Sequence, residues 1–166
     1  MTIRKYLDHF LASFVTILMG VLVVNVLWQV ISRYLVGRPS PFTDELAGFL
    51  LIWVGLLGAT YITGKKEHLA IDILHHKLSP ERKIKVDFLI NVLIALFALA
   101  VLVIGGANLV YITLHLRQVS SALQIPIGYV YMVLPLSGLF IIYYCIYDMV
   151  YPRKEVTYHE DDKKVN

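Results

Sequence analysis

The fold class predicted by this sequence is an all-α integral membrane protein with four transmembrane helices. Both termini are expected in the cytoplasm, with a cytoplasmic interfacial amphipathic helix between spans two and three. Three observations predict it. First, residues 9–32, 46–64, 88–116 and 118–147 carry no charged side chain, giving uncharged stretches of 24, 19, 29 and 30 residues. A hydrocarbon core about 30 Å thick is crossed by about 20 apolar residues of helix, whereas a β-barrel shows short alternating segments instead. Second, the 166 residues are 58% hydrophobic and 16% charged, with a mean hydropathy of +0.68. Soluble domains carry about 25% charged residues, so a soluble globular fold is excluded. Third, 12 of the 15 basic residues lie in the N-terminus (Arg4, Lys5), the middle loop (Lys65, Lys66, Lys77, Arg82, Lys83, Lys85) and the tail (Arg153, Lys154, Lys163, Lys164). Only Arg33, Arg38 and Arg117 lie in the other two loops, and the side richer in Lys and Arg is the cytoplasmic one. The net charge of +3 is therefore a topology signal, and no nucleic-acid-binding motif accompanies it.

The elements follow in order. Spans are expected at about 10–33, 44–64, 86–114 and 126–149 of a membrane domain covering 1–151. The run from Phe10 to Ile31 is too long for the 7–15-residue core of a signal peptide and lacks a small-x-small cleavage site, so it reads as a retained span. Trp28 and Tyr34 mark its outer end, where amphipathic rings favour the headgroup region. Pro39 and Pro41 then break the helix, and Thr43 reads as the N-cap of the next, with Asp44 and Glu45 in a first turn whose dipole they complement. Span two carries Gly48, Gly55, Gly58 and Ala59, small residues of the kind that let membrane helices approach.

Between spans two and three, Leu69, Ile73, Leu74 and Leu78 share one helical face and His68, Asp72, His75 and His76 the other, predicting an interfacial helix over about 68–78. The polar face is read as solvated, with metal binding through its His and Asp side chains as the alternative. Ser79, Pro80 and Glu81 read as an N-cap, a first-position proline and an early acid, so helix three should begin in the cytoplasm and overhang the bilayer. Pro126 starts the last helix, Pro135 is expected to kink it, and residues 152–166 form a polar tail. Cys145 is the one cysteine, so no disulfide framework exists.

No catalytic, cofactor-binding or metal residue is assigned. Ionisable groups inside a membrane are functional by default, yet every charge here falls at or beyond a span end. Asn25, Asn91 and Asn108 are read as interhelical hydrogen-bonding groups. His9 and His115 belong to opposite membrane sides and cannot share a haem. Arg33 and Glu45 border the same hairpin. They read either as snorkelling end charges or as an ion pair or polar anchor for another protein.

Four groups of residues, in this order and spacing, resemble the small membrane subunit of tripartite ATP-independent periplasmic (TRAP) transporters. They are Trp28-Gln29-Val30 with Arg33-Tyr34; Thr43-Asp44-Glu45-Leu46-Ala47 with Trp53 and Leu57-Gly58-Ala59; Glu67-His68-Leu69-Ala70-Ile71-Asp72; and Ser120-Ser121-Ala122-Leu123 with Ile125-Pro126, Tyr129 to Tyr131, Leu134-Pro135 and Gly138. Gly48 departs from the pattern, which has a basic residue there in many relatives. The resemblance implies a non-translocating scaffold in the bacterial inner membrane. Its partner would be a large membrane subunit that holds the substrate and sodium sites, served by a periplasmic binding protein that delivers an organic acid such as a dicarboxylate or sialic acid. No cofactor is implied in the chain itself, and membrane lipid is its surroundings. Trp28, Gln29, Arg33, Glu45, Trp53, Gly55 and Gly58 become the candidate subunit or helix contacts. A stand-alone four-helix exporter is the alternative, although this chain resembles such exporters poorly, since they use a buried membrane carboxylate and none is expected here.

Overall fold

The computed structural model describes residues 2–35, 37, 40–65 and 80–151. The interfacial helix, its histidines and the tail lie outside the described residues. Four helical spans are present, and the pairing of Val119 with Pro126 is the one β-type bridge among the described residues. Span one is α1 (Thr2–Tyr34) and span two is α2 (Pro41–Lys65). The third span runs as α3 (Pro80–Phe97), a π-helical segment (Ala98–Gly105) and α4 (Gly106–His115). The fourth is α5 (Ile127–Tyr131) followed by α6 (Val133–Val150).

Local chemistry explains most of the boundaries. Pro41 is the first residue of α2, and the Ser40 carbonyl accepts the first helical bond, from Asp44 N at 3.3 Å. Ser40 is therefore the cap instead of Thr43, because a proline lacks only an N–H that the first turn leaves unused. α1 begins at Thr2, several residues before the apolar run, and Arg4 and Asp8 within this first stretch are both held by other elements. In the fourth span the break falls at Met132, three residues before Pro135. Proline offers no N–H to the Tyr131 carbonyl and its ring crowds that turn, so α5 stops there. At the far end of α4, Gln118 N donates to Thr113 O (3.0 Å) and Arg117 N to Leu114 O (3.1 Å). This is a Schellman closure, with Arg117 at φ 49° in the left-handed position usually given to glycine.

The spans stand in an open row instead of a closed bundle. Span one lies beside span two, two beside four, and four beside three. Span four is consequently the centre, and its buried residues Val133, Ser137, Ile141, Tyr144, Cys145 and Asp148 recur with helical period. Leu11, Leu57, Val133 and Tyr144 form one core cluster between spans one, two and four. Ala98, Ile141 and Cys145 form a second between spans three and four.

Close helix approach occurs at glycines other than Gly48, Gly55 and Gly58. A Cβ placed on Gly138 would lie 2.8 Å from Leu102 Cβ, and one on Gly106 2.8 Å from Leu134 Cβ, so spans three and four interlock reciprocally. We expect Gly138→Leu to destabilise the isolated chain by about 1–3 kcal/mol through overpacking, read as a lower Tm in detergent. The same substitution at Gly55, where an added Cβ meets no atom within 4 Å, should leave that Tm unchanged.

Candidate functional site

Two polar clasps sit at opposite ends of the helices, one where the two hairpins turn and one where the start of α1 meets the end of α6. At the hairpin end, α1 grips the first turn of α2. Asn25 Nδ2 donates to the Thr43 carbonyl at 2.8 Å, and one helical turn later Gln29 Nε2 donates to Asp44 Oδ1 at 2.5 Å. The i, i+4 spacing puts both amides on one face, so they meet successive residues of the opposing turn. Thr43 Oγ1 bonds back to the Ser40 carbonyl at 3.0 Å, which braces the start of α2.

Glu45 then reaches across to the second hairpin. Its carboxylate accepts bonds from Ser120 Oγ and from the backbone N–H groups of Ser121 (2.9 Å), Ala122 (2.9 Å) and Leu123 (3.1 Å). Successive N–H groups converging on one anion form a backbone nest, in which each bond is strengthened by the charge it serves. The receiving loop is itself stiff. Ser120 N donates to Ile125 O at 2.9 Å, Ile127 N to Gln118 O at 3.0 Å, and Gln124 adopts φ 55° between them. The two hairpins are thus joined into one platform by a single side chain.

The second clasp ties the chain ends. Arg4 is only 5% exposed and Asp148 4%, and Arg4 Nη1 donates to Asp148 Oδ1 at 2.7 Å. Arg4 Nη2 also donates to the Gly64 carbonyl at the end of α2, and Tyr144 Oη donates to Asp8 Oδ1 at 2.6 Å. The guanidinium lies 4.8 Å from the Tyr147 ring centroid and 5.6 Å from that of Tyr144. Gly64 has no side chain because the Tyr144 ring occupies its place, with an added Cβ only 2.7 Å from Cζ. Spans one, two and four are therefore locked together where water begins.

The seven residues singled out from sequence fall into three groups. Gln29 and Glu45 meet in the hairpin clasp. Trp53 turns inward, its Nε1 donating to the Val130 carbonyl at 3.0 Å in the turn loosened by Pro135, with its ring beside Phe14. The side chains of Trp28 and Arg33 have no hydrogen bond or ion pair among the described residues, and a Cβ added at Gly55 or Gly58 meets no atom within 4 Å. Trp28 is 57% exposed and borders a groove of about 670 Å³ between α1 and α2, together with Gly20, Val24, Phe42 and Leu46. Arg33 is exposed at the rim of a smaller cleft of about 180 Å³ with Gln29, Ser40 and Asp44, and no ion pair joins it to Glu45 among the described residues. Sequence reasoning missed the Ser120–Leu123 loop as the receptor for Glu45, and it missed the Arg4–Asp148 pair. The available signal for the latter was two opposite charges assigned to the same membrane side. No group of three or more His, Cys, Asp or Glu side chains is arranged for a metal ion among the described residues.

Comparison with known proteins places this arrangement. Residues 21–155 match the family model described as "Tripartite ATP-independent periplasmic transporters, DctQ component". The chain is 24% identical over 137 residues to the sialic acid TRAP transporter small permease protein SiaQ of Vibrio cholerae, covering 79% of each. It is 23% identical over 141 residues to a putative TRAP transporter small permease protein of Haemophilus influenzae, covering 82% of this chain and 86% of the relative. A third relative is the isethionate TRAP transporter permease protein DctMQ of Oleidesulfovibrio alaskensis. It is 26% identical over 130 residues, which are 77% of this chain but 20% of that protein. The family match spans both hairpins, including Glu45 and its receiving loop, and all four spans in whole or part; the chain belongs to the DctQ family of small membrane subunits of TRAP transporters.

Proposed function

We propose that this chain is a non-translocating scaffold that holds the large membrane subunit of a sodium-coupled TRAP transporter, which imports an organic acid of the dicarboxylate or sialic acid class. The observation that carries the reading is the pair of end clasps. They fix four spans into one row and place the bonded charges at the two ends, leaving the row no ionisable side chain at mid-span to pass along. Such a plate can bear a load against a moving partner. Substrate and sodium sites then belong to the large subunit, and the hairpin platform faces the periplasm, where a binding protein delivers the substrate. Both termini lie in the cytoplasm and the membrane is the bacterial inner one, as the distribution of lysine and arginine supports. The names of two relatives mention sialic acid and isethionate, both organic anions, which supports an organic acid as substrate; the sialic acid relative supports the narrower class.

Reconstitution tests this directly. Liposomes holding the purified chain alone should show no sodium-driven uptake of radiolabelled sialic acid or dicarboxylate. Adding the large subunit and the binding protein should restore uptake. Accumulation by the chain alone would overturn the scaffold reading in favour of a small stand-alone transporter.

A further inference from the structure

Span three carries polar side chains on a face that no part of the row covers. In the open row this span is an edge, with span four as its neighbour. Asn108 is exposed and has no hydrogen-bond partner among the described residues. It lies seven positions before His115, the last residue of α4, about 10 Å inward at 1.5 Å per residue, and so inside the apolar span. Tyr111 and His115 continue the same helical face. Tyr111 is 65% exposed, and the two rings stack at 5.7 Å with 15° between their planes.

An amide in lipid loses two donors and an acceptor to a medium that offers no replacement. The chain satisfies such a group where it can: Asn25 is 9% exposed and bonded to Thr43. Asn108 has no equivalent inside the row. Lipid acyl chains cannot supply one, and the hydrocarbon region holds no water to replace it. A neighbouring protein helix can.

We infer that the outer half of span three, through Asn108, Tyr111 and His115, docks a transmembrane helix of the large permease subunit that presents a side chain able both to donate and to accept a hydrogen bond at the depth of Asn108. The assignment rests on the scaffold reading above. That reading makes a large permease the partner, and it gains support from the longer permease of Oleidesulfovibrio alaskensis, where the matched segment is a fifth of the protein. Tyr111 and His115 extend the contact toward the headgroups, where amphipathic rings are favoured.

The test uses the complete complex in native membranes, with a photoreactive benzoyl-phenylalanine at position 111. Irradiation should yield a covalent adduct of this chain with the large subunit. In parallel, Asn108→Leu should weaken association with the large subunit about three- to twentyfold, from the mean to the upper end of what hydrogen bonds contribute in membranes, while Asn108→Gln retains it. Because Asn108 makes no bond inside the row, Asn108→Leu should leave the Tm of the isolated subunit unchanged, which separates docking from folding. An adduct with a second copy, the absence of any protein adduct, or unaltered association of Asn108→Leu would overturn the assignment. Co-purification of the unsubstituted chain with the large subunit distinguishes the failures. If the two proteins travel together while position 111 stays silent, only this face is wrong; if they do not, the scaffold reading itself falls.

Discussion

Asp148→Leu should destabilise the subunit by about 3–5 kcal/mol, the largest effect expected of any single substitution here. Asp148 and Arg4 are both buried, and their direct bond is 2.7 Å. Removing the carboxylate leaves the guanidinium in place with the Gly64 carbonyl and with Asp8, whose Oδ2 is 3.9 Å away. A buried cation that has lost its closest anion is costly, because desolvation was compensated by that bond. The double variant Arg4→Met with Asp148→Leu should recover most of the loss, since apolar side chains of similar length replace the pair and removing both charges also removes the desolvation penalty. Thermal unfolding of the four proteins of this cycle in one detergent checks the prediction. A loss in the double variant equal to the sum of the two single losses would mean that the charges do not act as a pair.

Glu45→Ala should release the second hairpin from the first. Four donors converge on that carboxylate: one hydroxyl and three backbone N–H groups. Without it, the Ser120 hydroxyl keeps only its local bond from Leu123 N at 3.1 Å, and the N–H groups of Ser121 and Ala122 lose their acceptor. Amide hydrogen exchange at 121–123 should rise by roughly tenfold or more, because local opening no longer breaks a charge-assisted bond. The isolated subunit should still fold, since its apolar clusters lie elsewhere. If the joined hairpins are the docking platform, uptake by the complete transporter should fall strongly while the large subunit still co-purifies. Unchanged exchange at 121–123 would show that the loop holds its shape without Glu45.

What the sequence makes legible follows from the range of each signal. Four uncharged stretches locate four spans because the bilayer sets their length, and Pro80 opens α3 because a proline at a helix start needs no partner. Gln29 and Glu45 stand out because they are polar at the edge of apolar runs. Their partners do not. Glu45 has Arg33 twelve positions away and Ser120 seventy-five away, and charge logic favours the nearer ion over a hydroxyl and three amides, although the latter win. The Arg4–Asp148 pair spans 144 positions and has no local pattern at all. The π segment at Ala98–Gly105 is equally silent, since a uniformly apolar run reads the same in either helical register. Glycines mark where helices can approach without saying what approaches. Gly106 and Gly138 meet the neighbouring span, while Gly55 and Gly58 face open space in the subunit alone.

The central claim is that this chain works as a fixed support for a larger membrane subunit. Affinity purification of the tagged chain from its native membrane, with mass determination of the intact assembly, tests it most directly. A single large polytopic subunit recovered in equal amount is the predicted result. Recovery of the chain alone, or as a homodimer, would contradict it.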